Sequence, residues 1–223
     1  MRASRRWFFK AVSAGGAVAV LPTPGAAQRK TPAAAAYVFF NPAEAAFIEA
    51  GVARLIPKDE SGPGALEAGV PSYIDKQLGG AWGAGERLYR GGPWRPGTAS
   101  QGYQLPFTPA ELFRTAIRGV EPKFPKMAPQ EQDAYLDSLQ KGKHELAGVP
   151  SNVFFESLLD VTIEGFFSDP AYGGNRDMAA WKMIGFPGAY ADFYEHVDKH
   201  GVAYNAPPTS LAQAKGHRHG HAS

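Results

Sequence analysis

Ser151-Asn152-Val153-Phe154-Phe155-Glu156-Ser157-Leu158-Leu159-Asp160-Val161-Thr162-Ile163-Glu164-Gly165-Phe166 is the stretch on which the fold class turns. Phe154, Phe155, Leu158, Leu159, Thr162 and Phe166 recur at intervals of three and four, which puts them on one broad face of a helix. Ser151 opens that helix, and Ser168-Asp169-Pro170 closes it, because proline cannot continue the backbone ladder.

A face this wide needs other helices to cover it. Asn41-Pro42-Ala43-Glu44 offers an N-cap, a proline at the first helical position and a glutamate that can bond back to the cap. Phe47, Ile48, Val52, Leu55 and Ile56 follow at helical spacing until Pro57. Thr108-Pro109-Ala110-Glu111 repeats the device before Leu112, Phe113, Ala116, Ile117 and Val120. Shorter helices are expected over Ser72 to Leu78, Gln130 to Leu139 and Ala189 to Lys199, with a turn of helix near Ala65 to Ala68. Between Ala81 and Gln104 no period persists, yet Trp, Tyr and Arg are too frequent for a simple linker, so an ordered irregular loop is expected. The fold class is therefore all-α: a single domain of five or six helices over residues 37–206, joined by long ordered loops rich in Gly, Pro and aromatic residues. Residues 207–223 read as a flexible tail containing His217, His219 and His221.

The amino end has a different character. Arg2, Arg5, Arg6 and Lys10 precede an apolar run from Ala11 to Leu21, and Gly25-Ala26-Ala27 supplies small residues for cleavage. The run is shorter than the roughly 20 apolar residues a spanning helix needs. Adjacent Arg5 and Arg6, with Ser4 before them and Trp7-Phe8-Phe9-Lys10 after, fit a twin-arginine export signal over residues 1–27, and residues 28–36 read as a linker. The expected location is the periplasm, reached in the folded state. Without residues 1–27, Lys plus Arg falls from 23 to 19 against 21 acids, so the formal charge moves from +2 to about −2. The basic balance belongs to the leader, which removes the electrostatic case for binding nucleic acid.

Cysteine is absent, which excludes cysteine-held iron–sulfur clusters, a Cys-X-X-Cys-His haem attachment and a thiol nucleophile within this sequence. Gly91-Gly92 and Gly173-Gly174 lack the context of nucleotide loops, so no flavin or nicotinamide site is expected here. His196 and His200 share the spacing of a helical metal pair, but no Glu follows His196 as a metalloprotease would need, and His144 stands apart. Glu44 with Glu49 reads as capping plus a solvated helix face, and Asp59-Glu60 as loop. A metal-dependent periplasmic hydrolase built on His196 and His200, or a solitary binding module, is the alternative to a non-catalytic chain. No catalytic, cofactor-binding or metal residue is assigned.

The richest constellation runs from Glu164 to Gly188. Its glycines and prolines demand specific turns, while Phe166, Phe167, Tyr172, Trp181, Met183 and Phe186 must either cover the helices or meet another protein. Phe166 is expected in the core; Phe167, Tyr172, Trp181 and Phe186 are the candidate partner contacts. Gly165-Phe166-Phe167-Ser168-Asp169-Pro170, Tyr172-Gly173-Gly174-Asn175, Trp181-Lys182 and Gly185-Phe186-Pro187-Gly188 resemble the closing signature of the gluconate 2-dehydrogenase subunit 3 family. Leu55-Ile56-Pro57, Asp59, Pro63-Gly64-Ala65 and Val70 to Ile74 are similar to that family's amino-terminal half. The resemblance implies a small subunit, free of cofactors, of a membrane-associated sugar or sugar-acid dehydrogenase. It further implies a large FAD-containing flavoprotein as partner, a multihaem cytochrome c subunit beside it, and the small subunit's leader carrying the flavoprotein through the twin-arginine translocase.

Overall fold

A computed structural model of the chain describes residues 37–95, 97–98, 101–189, 196, 198–202 and 206–214. The leader with Arg5 and Arg6, the linker and His217, His219 and His221 lie outside them, as does most of the helix expected over Ala189 to Lys199. The order of elements is α1 (Pro42–Leu55), α2 (Val70–Leu78), α3 (Pro109–Gly119), a 3-10 turn (Phe124–Lys126), α4 (Pro129–Gln140), β1 (Glu145–Leu146), β2 (Val149–Pro150), α5 (Ser151–Phe167), two 3-10 turns (Pro170–Tyr172 and Arg176–Met178), α6 (Ala179–Ile184) and α7 (Leu211–Ala214). The class is all-α, as the sequence leads one to expect.

Both capping boxes form. Asn41 Oδ1 accepts from the N–H groups of Ala43 and Glu44 at 2.9 and 3.0 Å, and the Asn41 N–H donates to Glu44 at 2.9 Å. At α3 the Glu111 N–H reaches the Thr108 hydroxyl at 3.2 Å and the Thr108 N–H reaches Glu111 at 2.8 Å. That backbone bond, then the Thr108 hydroxyl, hold the Glu111 carboxyl below its ordinary range. At α4 the cap position is Ala128, so only the returning half exists, from its N–H to Glu131 at 2.9 Å.

The long helix is central. α5 packs on α1, α2, α3, α4 and α6. Phe154, fully buried, sets its ring 6.0 Å from Phe47 of α1 and 5.5 Å from Phe113 of α3, and Phe47 continues the cluster to Phe124 at 5.0 Å. Gly51 lets α1 approach, since a Cβ there would touch Leu158 Cδ2 at 3.6 Å. Ser151 is not the cap that its position suggests. It is the first helical residue, buried, and its hydroxyl donates to Leu139 O at 3.1 Å while accepting the His144 N–H at 3.2 Å, which ties α4 to α5. Between those helices, β1 and β2 form a hairpin whose turn residues Ala147 and Gly148 both have positive φ, 54° and 95°.

Two polar residues do more than the sequence reading allows. Glu44 is not on a solvated face: it is buried, and besides closing the cap it pairs with Arg114 of α3 at 3.4 Å. Asp75 of α2 is buried as well and receives the N–H groups of Val38, Phe39 and Phe40 at 2.8, 2.9 and 2.9 Å. At the other end, residues 206–214 run back against the body. Thr209 bridges Gly188, and the Leu211 N–H donates to Asp169 at 2.7 Å.

Candidate partner-binding surface

The segment after α5 is built on backbone shapes that few residues accept. Asp169, just past the end of α5, caps the 3-10 turn that follows: one carboxylate oxygen accepts from the Ala171 N–H at 2.8 Å and the other from the Leu211 N–H at 2.7 Å. Gly174 lies so close to α5 that a Cβ would collide with the Gly165 carbonyl, and a Cβ on Gly165 would lie 2.7 Å from the Tyr73 ring. Asn175, Asp177 and Met178 then adopt φ of 42°, 59° and 54°. Left-handed backbone at three non-glycine residues in four is costly and persists only when the surroundings impose it.

Asn175 supplies that constraint. Fully buried, it donates from Nδ2 to Ser168 O and accepts the Ala180 N–H on Oδ1, both at 2.9 Å. It thereby bolts the end of α5 to the start of α6. The Arg176 N–H donates to Ala68 O at 2.9 Å, which fastens the segment to the turn that follows Pro63-Gly64-Ala65. The two stretches that carry the family resemblance, about a hundred residues apart in sequence, are thus one structural unit. Gly64 is fixed there too, because a Cβ would approach Lys58 N to 2.5 Å.

Four aromatic residues divide on this frame. Trp181 is 6% exposed; its indole N–H donates to Phe167 O at 2.8 Å and its ring meets Phe186 edge-on at 5.2 Å. Its place is beneath the surface, as a support, because the indole finds both an apolar bed and a hydrogen-bond acceptor inside the chain. Phe167 is half-buried, and Phe166 is in the core. Tyr172 and Phe186 are outward, 51% and 45% exposed. α6 adds Met183 and Ile184, at 41% and 57%, which the sequence reading did not place on a surface because a six-residue helix between Met178 and Gly185 leaves no periodic trace. Isolated exposed apolar residues are ordinary; these four belong to one rigidly held segment.

The described histidines do not converge. His144 takes a structural place, with Nε2 2.8 Å from Ser138 Oγ and its ring 5.2 Å from Tyr135. His196 and His200 are exposed, and among the described residues no group of three or more His, Asp or Glu could hold a metal ion. Glu164 is pushed up by partial burial and by Asp160, while Tyr73 is pushed up to about 12, first by its own burial and then by the charge of Glu164, to which it is hydrogen-bonded. An open cleft of about 440 Å³ lies on the far loop, lined by Gln77, Trp82, Arg87, Leu88 and Pro109 among others. No described helix is long and apolar enough to cross a membrane.

A family model for gluconate 2-dehydrogenase subunit 3 matches residues 42–188. The chain belongs to the gluconate 2-dehydrogenase subunit 3 family. The match begins at the first residue of α1 and ends at Gly188, so it includes the core, the strained segment and α6. No curated protein and no solved structure matches the chain. Membership of the subunit 3 family makes this a subunit of a dehydrogenase complex of the gluconate 2-dehydrogenase type.

Proposed function

We propose that this chain is the non-catalytic small subunit of a periplasmic, FAD-dependent dehydrogenase acting on gluconate or a related sugar. It binds the flavoprotein subunit, supports its folding and stability, and carries it through the twin-arginine translocase on its own leader. FAD and haem c reside in the partner subunits, and the complex meets the membrane through those partners. The observation that carries the reading is the family match over residues 42–188. It is supported by the Arg5-Arg6 leader and by the outward set of Tyr172, Met183, Ile184 and Phe186 on a segment rigidly tied to the core.

The export half is tested by co-expressing the chain with its flavoprotein and replacing both arginines, R5K/R6K. Lysine keeps the charge but not the planar guanidinium, so both proteins should remain in the cytoplasm, and dehydrogenase activity in the periplasmic fraction should fall by more than tenfold. Undiminished activity there would sink the escort reading. The binding half is tested at the surface. I184S with F186S should weaken the purified complex by about 2 kcal/mol, roughly thirtyfold in Kd, with the small subunit's own melting temperature lowered by only a few degrees through the lost Phe186–Trp181 contact. An unchanged Kd would place the flavoprotein on another face.

A further inference from the structure

Tyr37, Val38, Phe39 and Phe40 are the first four described residues, and three helices hold them. From α1, Glu49 accepts the Tyr37 hydroxyl at 2.6 Å. From α2, the buried Asp75 carboxylate takes three successive backbone N–H groups, those of Val38, Phe39 and Phe40. From α3, the Arg114 guanidinium donates to Phe39 O at 2.7 Å and sits 4.2 Å from the centre of the Phe39 ring. The Val38 side chain is 81% exposed, so at that residue Asp75 grips the main chain and not the side chain.

This arrangement depends on contacts between distant parts of the chain. The segment has no helix or strand of its own, and a carboxylate buried with three amide donors needs those donors in place at once. Its three anchors lie at residues 49, 75 and 114, and they converge only after α1, α2 and α3 have packed. Upstream of Tyr37 lie residues 1–36, read above as export leader and linker.

We propose that residues 37–40 are a latch that couples the leader to the packing of the first three helices: Asp75, Glu49 and Arg114 seize the segment when α1, α2 and α3 have assembled, and the latched chain is the form that is exported. The coupling rests on the export reading above; the latch itself does not. In the purified full-length chain, the amides of Val38, Phe39 and Phe40 should exchange with deuterium at least a hundredfold more slowly than in an unstructured peptide. D75N should lower that protection tenfold or more while leaving the Leu158 amide as slow as before. Co-expressed with the flavoprotein, D75N should reach the periplasm at a third of the wild-type level or less, beside R5K/R6K as the export control.

Free exchange at residues 38–40 in the wild type would overturn the latch. A D75N chain that loses protection there, keeps it at Leu158 and is exported at the wild-type level would overturn the coupling alone. Normal export of R5K/R6K would instead bring down the export reading, and the coupling with it. Should D75N also lose the Leu158 protection, Y37F, which removes only the bond to Glu49, takes its place under the same criteria.

Discussion

Phe154→Ala should lower the free energy of unfolding by about 4 kcal/mol, within the usual range for removing a fully buried phenylalanine. The side chain joins three elements: its ring meets Phe47 of α1 and Phe113 of α3 from the central helix. The rings around it are anchored on different helices and cannot all move inward, so the cavity stays largely open. Against a total stability of about 5–15 kcal/mol for a domain, the loss is a large fraction, equivalent to roughly 8–16 °C in Tm at this size. Denaturant titration of the purified chain measures it directly. Leu159→Ala on the same helix, where the side chain is only partly buried, should cost less than half as much. Equal effects at the two positions would show that α5 does not centre the core on Phe154.

Asn175→Ala should cost about 3–5 kcal/mol, an unusually large figure for a loop residue. Two buried hydrogen bonds disappear, leaving Ser168 O and the Ala180 N–H without these partners at about 1–3 kcal/mol each. Alanine must in addition adopt a φ of 42° that asparagine tolerates better. Asn175→Gly separates the two causes. Glycine relieves the backbone but restores neither hydrogen bond, so it should recover no more than about 1 kcal/mol. If it recovers nearly everything, the segment is held by backbone shape and not by the amide. Because α6 hangs from this residue, both variants should also weaken the proposed flavoprotein complex, whereas I184S with F186S should weaken it at a much smaller cost to the fold.

The helices that the sequence announces are those with a local chemical marker. Asn41 and Thr108, each followed by proline and then glutamate, place the starts of α1 and α3 to the residue, and the apolar spacing from Phe154 to Phe166 gives α5. What stays hidden depends on residues far apart. Glu44 satisfies its own cap, and nothing local reveals that Arg114 will arrive seventy positions later. Asp75 looks like an ordinary polar residue in a short helix until residues 38–40 settle on it. The outward surface was half legible: aromatic composition singled out Tyr172 and Phe186, while Trp181, equally conspicuous, is turned inward by the Phe167 carbonyl. Met183 and Ile184 could be placed only once left-handed Met178 and Gly185 had set the limits of α6.

The helix that organises the core is made late. Some 150 residues precede α5, and at roughly 5–20 residues per second a ribosome needs about 8–30 s to reach it. Throughout that interval Phe47 and Phe113 have no Phe154 to close on, although residues 1–27 have already been synthesised. On the export role proposed above, a nascent chain would pass through a stage in which its address is legible and its contents are unfinished, which would make the order of synthesis itself a reason for waiting before departure.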